Sequence, residues 1–114
     1  MEKKMIKHAL LIMASAAMAC SSVSALAAGD AEAGKALYMQ KGCPACHGDK
    51  GQSVNPAMFP VLKGQDAGYI AEQLHAFKSD KRKGQGPGVI MNQITKGLSD
   101  ADIANIAAFI ESQK

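Results

Sequence analysis

Lys41-Gly42-Cys43-Pro44-Ala45-Cys46-His47-Gly48 places two of the chain's three cysteines with two residues between them and a histidine directly after the second. Three chemistries use such a cluster: a redox dithiol, a metal site and covalent haem attachment. Thioredoxin-like dithiols follow a strand inside a βαβ unit, whereas here helix-like sequence precedes Cys43 and no strand candidate follows. A structural zinc ion takes four ligands. Cys43, Cys46 and His47 supply at most three, the last two adjacent, and His75 is the one other histidine outside the N-terminal stretch. A Cys43–Cys46 disulfide would close too small a loop to restrain much chain entropy.

Haem attachment uses all three residues at once. In a C-x-x-C-H segment each thiol adds to one vinyl group of the porphyrin, and the linkage brings the following histidine beneath the iron as its proximal ligand. That chemistry needs an exported, oxidising location, and the N-terminus supplies one independently. Lys3, Lys4 and Lys7 precede an apolar run from Ala9 to Ala19, and small residues lead to Ala25-Leu26-Ala27. Positive, apolar and A-x-A segments in that order form a secretory signal peptide, here residues 1–27, cleaved after Ala27. The rival readings are a retained membrane anchor, for which the run is short and diluted with serine, and lipidation at Cys20, whose upstream Ala17 stands where leucine is usual.

Cleavage after Ala27 leaves residues 28–114, one domain of 87 residues carrying 10 basic and 9 acidic side chains, close to neutral and with no membrane span. No basic groove interleaved with aromatics appears, so nucleic acid is excluded as a partner. The aromatic supply is Tyr38, Phe59, Tyr69, Phe77 and Phe109, with no tryptophan. So small a chain folds with difficulty on its own core, and a large flat cofactor would complete it.

The pattern is all-α, with three main helices and no strand. Asp30 caps a helix over Ala31–Gln40, ending near Gly42. Asp66 opens a second, with Tyr69, Ile70, Leu74 and Phe77 at helical spacing. Ser99 and Asp102 form an acidic capping box before Ile103, Ile106, Ala107 and Ile110, one apolar stripe. Two Gly- and Pro-rich connections join these helices, and long connections in a small domain are usually functional.

Iron held by one histidine takes a further ligand from its other face. Met39 lies four residues before Cys43 and reads as core packing; Met58 lies in a connection near the proximal side and reads as lining the cofactor edge. Met91 follows Lys83-Gly84-Gln85-Gly86-Pro87-Gly88-Val89 and precedes the third helix, from where its thioether can reach the distal side. His75 is the competitor, on a helix whose apolar stripe uses its neighbour Leu74.

On "GKALY" before "CPACHG", "FPVLKGQ" after it, "YIAEQLHAFK" and "MNQITKGLSDADIANIAAFI", residues 30–114 resemble class I c-type cytochromes. They are similar to the small bacterial single-haem type and to one half of the di-haem cytochromes c-four. The resemblance implies the class I cytochrome c fold wrapped around one haem c, with covalent links to Cys43 and Cys46 and axial ligands His47 and Met91. It implies that the Pro60 carbonyl accepts the other ring N–H of His47. It also implies that Gly34 and Tyr38 pack on Ile106 and Phe109, where a glycine lets two helices cross closely. With a single C-x-x-C-H the chain is no complete di-haem protein, and the charged, glycine-rich segment Lys78–Gly88 departs from the family pattern.

His/Met ligation leaves no open iron position and raises the reduction potential. The expected function is that of a soluble periplasmic one-electron carrier, without substrate turnover of its own. The resemblance implies a quinol-oxidising complex as donor and a terminal oxidase or reductase as acceptor. Two alternatives differ in class: a haem subunit docked permanently to a dehydrogenase or sulfur-oxidising enzyme, marked by a large exposed apolar patch, and a ligand-binding sensor, marked by carbon monoxide or nitric oxide binding. Lys78, Lys81, Arg82 and Lys83 form a candidate steering cluster for an acidic partner, or a solvated helix end whose cations suit the helix dipole.

Overall fold

The computed structural model describes residues 29–114; the leader and Cys20 lie outside the described residues. Each long helix starts at a side-chain cap. The Asp30 carboxylate accepts from the N–H groups of Glu32 and Ala33 and opens α1, Ala31–Gln40. Pro44, whose ring pre-sets φ for a first helical position, starts the single turn α2, Pro44–His47. The Asp66 carboxylate accepts from the Tyr69 N–H and opens α3, Ala67–Lys78. A five-residue helix, α4, spans Ile90–Ile94 between 3-10 turns at Gly86–Val89 and Thr95–Gly97. Ser99 and Asp102 exchange both bonds of a capping box at the start of α5, Asp100–Ser112. Among the described residues there is no strand.

The core lies between α1, α3 and α5. Tyr38, Ile70, Leu98, Ile103, Ile106, Ala107, Phe109 and Ile110 form one buried cluster. The crossing of α1 and α5 is set by Gly34: a Cβ there would lie 1.8 Å from the Asn105 carbonyl oxygen, so any side chain would push the two backbones apart. The Asp30 N–H donates to Asn105 Oδ1 at 2.8 Å, and the Tyr38 and Phe109 rings pack with centroids 5.1 Å apart. This is the helix contact implied by the resemblance, made through the backbone of Asn105 and Ile106 as well as through Phe109.

Three expectations need correction. Met39 is 44% exposed rather than core packing, because one residue beyond the inward-facing Tyr38 is a turn of about 100° around the helix. The connection after α3 is structured: α4 and its flanking turns occupy much of it, with Met91 inside the helix. Tyr69, on the expected apolar stripe of α3, is half exposed, while Ile70 and Phe77 are buried.

Candidate functional site

A cleft of about 380 Å³ opens beside α2. Cys43, Cys46 and His47 line it from α2 and its cap, Leu74 and Phe77 from α3, and Met91 from α4. The chain between α2 and α3 folds back to make the wall next to His47. The Ser53 N–H donates to the His47 carbonyl at 2.6 Å and the Val54 N–H to the Cys46 carbonyl at 3.1 Å. Ser53 Oγ donates to the Phe59 carbonyl at 2.7 Å, and the Leu62 N–H reaches Gly51 O at 2.7 Å. These bonds fix the Pro60 carbonyl 3.0 Å from His47 Nδ1. An acceptor there requires Nδ1 to carry the proton, which leaves the lone pair on Nε2.

His47 is buried, and burial holds its pKa below the usual value, the Pro60 carbonyl pulling the other way. The imidazole is therefore neutral at neutral pH, the form that ligates a metal. Burial also pushes the Cys43 thiol up to about 11. Both cysteines are half-buried and unpaired. The far end of α2 is tied to α1 by the buried Tyr38 hydroxyl, which donates to the Gly48 carbonyl at 2.6 Å; desolvation there keeps the phenol far above its ordinary pKa.

The structure separates the other candidates. His75 is exposed, does not line the cleft, and lies 3.9 Å from the Asp100 carboxylate. Met58 lines the cleft mouth and is 56% exposed; Met39 lies outside the cleft. Met91 is half-buried, and its carbonyl accepts from the buried Thr95 hydroxyl at 2.7 Å. The four cations do not form one free patch. Lys78 is half-buried and donates to the Leu98 carbonyl, and Arg82 stacks 4.5 Å over the Phe77 ring while donating to Gln73 at 2.7 Å. Lys81 and Lys83 are exposed. Sequence reasoning missed Asn92, whose side chain ties α4 to the end of α3; no helical period or motif marks it.

The sequence model of the cytochrome c family matches residues 31–114. The chain belongs to the cytochrome c family. Cytochrome c-554(548) of Halomonas halodenitrificans is 44% identical over 87 residues, covering 76% of this chain and 100% of that protein. Cytochrome c4 of Azotobacter vinelandii is 38% identical over 87 residues, 70% of this chain and 41% of that one. The crystal structure of reduced recombinant cytochrome c4 from Pseudomonas stutzeri superimposes with a TM-score of 0.66 at 30% identity, over 78% of this chain and 52% of that chain. The chain thus spans the whole of one such relative and about half or less of the cytochromes c4.

A cytochrome c is an electron-transfer protein that carries covalently bound haem c, and this single domain takes one. The residues present fit the group. The cleft walls are mainly apolar, two thiols are unpaired at its edge, and a neutral imidazole lines it with Nδ1 already engaged. Cys43, Cys46 and His47 do not converge on one point as a three-ligand metal set among the described residues, so the cluster does not suit a bare zinc ion.

Proposed function

We propose that this cytochrome c is a periplasmic one-electron carrier whose haem is linked through Cys43 and Cys46 and whose iron is held by His47 and Met91. The observation that carries this reading is a single cleft lined jointly by those four residues, with His75 outside it. When bound, the haem supplies a reversible ferric–ferrous couple. The chain's own residues do the rest. The Pro60 carbonyl fixes the His47 ring and, by accepting Nδ1–H, makes Nε2 the better donor. Leu74, Phe77 and Ile110 keep water from the cleft interior, lowering the local dielectric around a changing charge. Met91 would supply the iron's second protein ligand, which would favour the reduced state and leave no open position for a substrate, so no turnover chemistry of its own is assigned.

Residues 1–27 act as a cleaved signal peptide, delivering residues 28–114 to an oxidising compartment. Among the described residues no helix is long and apolar enough to cross a membrane. A quinol-oxidising complex as donor and a terminal oxidase or reductase as acceptor suit this chemistry.

Expression in an export-competent host, with visible spectra and pyridine treatment, tests the assignment. The double variant Cys43→Ser/Cys46→Ser should release its haem into acidic organic solvent, and Met91→Ala should lose the sulfur-to-iron charge-transfer band of the ferric form and bind carbon monoxide when reduced. His75→Ala should change neither. Retention of the band in Met91→Ala would exclude that residue as a ligand.

One observation favours permanent docking as a second reading: Met58, Tyr69, Val89 and Ile90 are all about half exposed, and three of them line the cleft. Repeated fast turnover of a sub-stoichiometric amount of carrier would separate the mobile role from the docked one.

A further inference from the structure

Helix α4 is too short to hold itself in place. It has five residues, no side-chain cap and no charged residue in its first turn, and isolated helices of this length are unstable in water. Its position must come from outside, and the bonds that supply it converge on Asn92. Its Oδ1 accepts the Gly84 N–H at 2.8 Å. Its Nδ2 faces three oxygens: the Phe77 carbonyl at 3.1 Å, the Arg82 carbonyl at 2.7 Å and Asp80 Oδ1 at 3.2 Å. One N–H on one side and three oxygens on the other fix the amide's orientation, and its two hydrogens serve three acceptors.

A second side chain closes the same loop. Lys96 Nζ donates to the Lys78 carbonyl at 3.0 Å and to Asp80 Oδ1 at 2.9 Å. The loop itself is drawn tight, since a Cβ on Gly84 would lie 1.9 Å from the Gly88 carbonyl oxygen. Asn92 and Lys96 therefore bind the end of α3, the loop through Gly84, and α4 with the turn that follows it into one body.

We propose that Asn92 is the positioning residue for Met91, holding its thioether on the iron by anchoring α4 to the end of α3 and the loop through Gly84. Successive helical side chains point about 100° apart. With Asn92 turned into the loop, the rotation of α4 is fixed, and Met91 is presented to the cleft it lines. Lys96 supports the anchor through Asp80. This proposal rests on the assignment of Met91 as the second axial ligand.

The test uses the full-length exported holoprotein and imidazole as the probe. In the ferric state imidazole replaces a thioether only after the sulfur leaves the iron, so its binding rate reads how firmly Met91 is held. Asn92→Ala is expected to raise that rate by about tenfold or more and to weaken the charge-transfer band, with Cys43 and Cys46 attachment unchanged. Lys96→Met should give a smaller increase. Ile103→Val, a core truncation outside the loop, serves as the control for general destabilisation and should leave the rate as in the parent. Where Asn92→Ala does not fold, Asn92→Asp keeps the acceptor for Gly84 and removes the donors, and carries the same expectation. An unchanged rate and band in the Asn92 variant, with the band lost in Met91→Ala, overturns the anchor alone. A band retained in Met91→Ala overturns the ligand assignment and the anchor with it.

Discussion

Gly34 illustrates how much one missing methyl group decides. Its hydrogen stands where a Cβ would meet the Asn105 carbonyl at 1.8 Å, and that atom belongs to helix backbone, which cannot rotate away. Gly34→Ala is expected to cost about 3 kcal/mol, the upper part of the range for overpacking, although alanine is the better helix former; denaturant unfolding of the holoprotein measures it. Tyr38→Phe isolates a different term. It leaves the ring on Phe109 and deletes only the 2.6 Å bond to the Gly48 carbonyl, which keeps the Gly51 N–H at 3.3 Å, so a loss of about 1 kcal/mol is expected. At this scale the sequence was legible where chemistry is local. Cys43, Cys46, His47 and Met91 were nameable from type and spacing, and all four line one cleft. Asn92 was not, because its partners lie 8 to 15 residues away along the chain and nothing local distinguishes it from any surface asparagine.

The three long helices were readable because each begins at a side chain that satisfies its free N–H groups: Asp30, Asp66 and Ser99. Ser99→Ala should cost about 1 kcal/mol and raise hydrogen exchange in the first turn of α5 before it affects the middle of the helix. The short α4 was hidden, since five residues carry less than two periods of any pattern and the glycines and proline ahead of it read as a loop. The Asp80–Lys96 pair that braces it has a testable pH signature. The Lys96 hydrogen bond holds the Asp80 carboxyl below the usual range. Since the folded value is the lower one, the contribution is complete above about pH 4 and disappears as pH falls through the folded value. Asp80→Asn should therefore melt below the parent at neutral pH, and the gap should close on acidification; a gap independent of pH would mean that the charge of Asp80 is immaterial.

For the molecule as a whole the bound group replaces missing interior. Without it, the mainly apolar walls of the 380 Å³ cleft would face water, a loss of burial that a domain of this size has little other core to offset. The Cys43→Ser/Cys46→Ser chain, once freed of haem, is accordingly expected to lose most of its helical circular dichroism and its cooperative melt; a well-folded colourless product would contradict this. Electron exchange with an acidic donor should slow as salt rises if Lys81 and Lys83, the exposed members of the basic cluster, steer the encounter, and a flat response would remove that role. The seam between α1 and α5 reaches beyond stability. Asp30 and Asn105, which bond across it, are 75 positions apart, so the principal contact of the domain joins its earliest and latest segments. A ribosome-bound polypeptide lacking its final turns has nothing for α1 to dock against. Until α5 has been made this seam cannot close, and the half-buried Cys43 and Cys46 thiols remain accessible from solution.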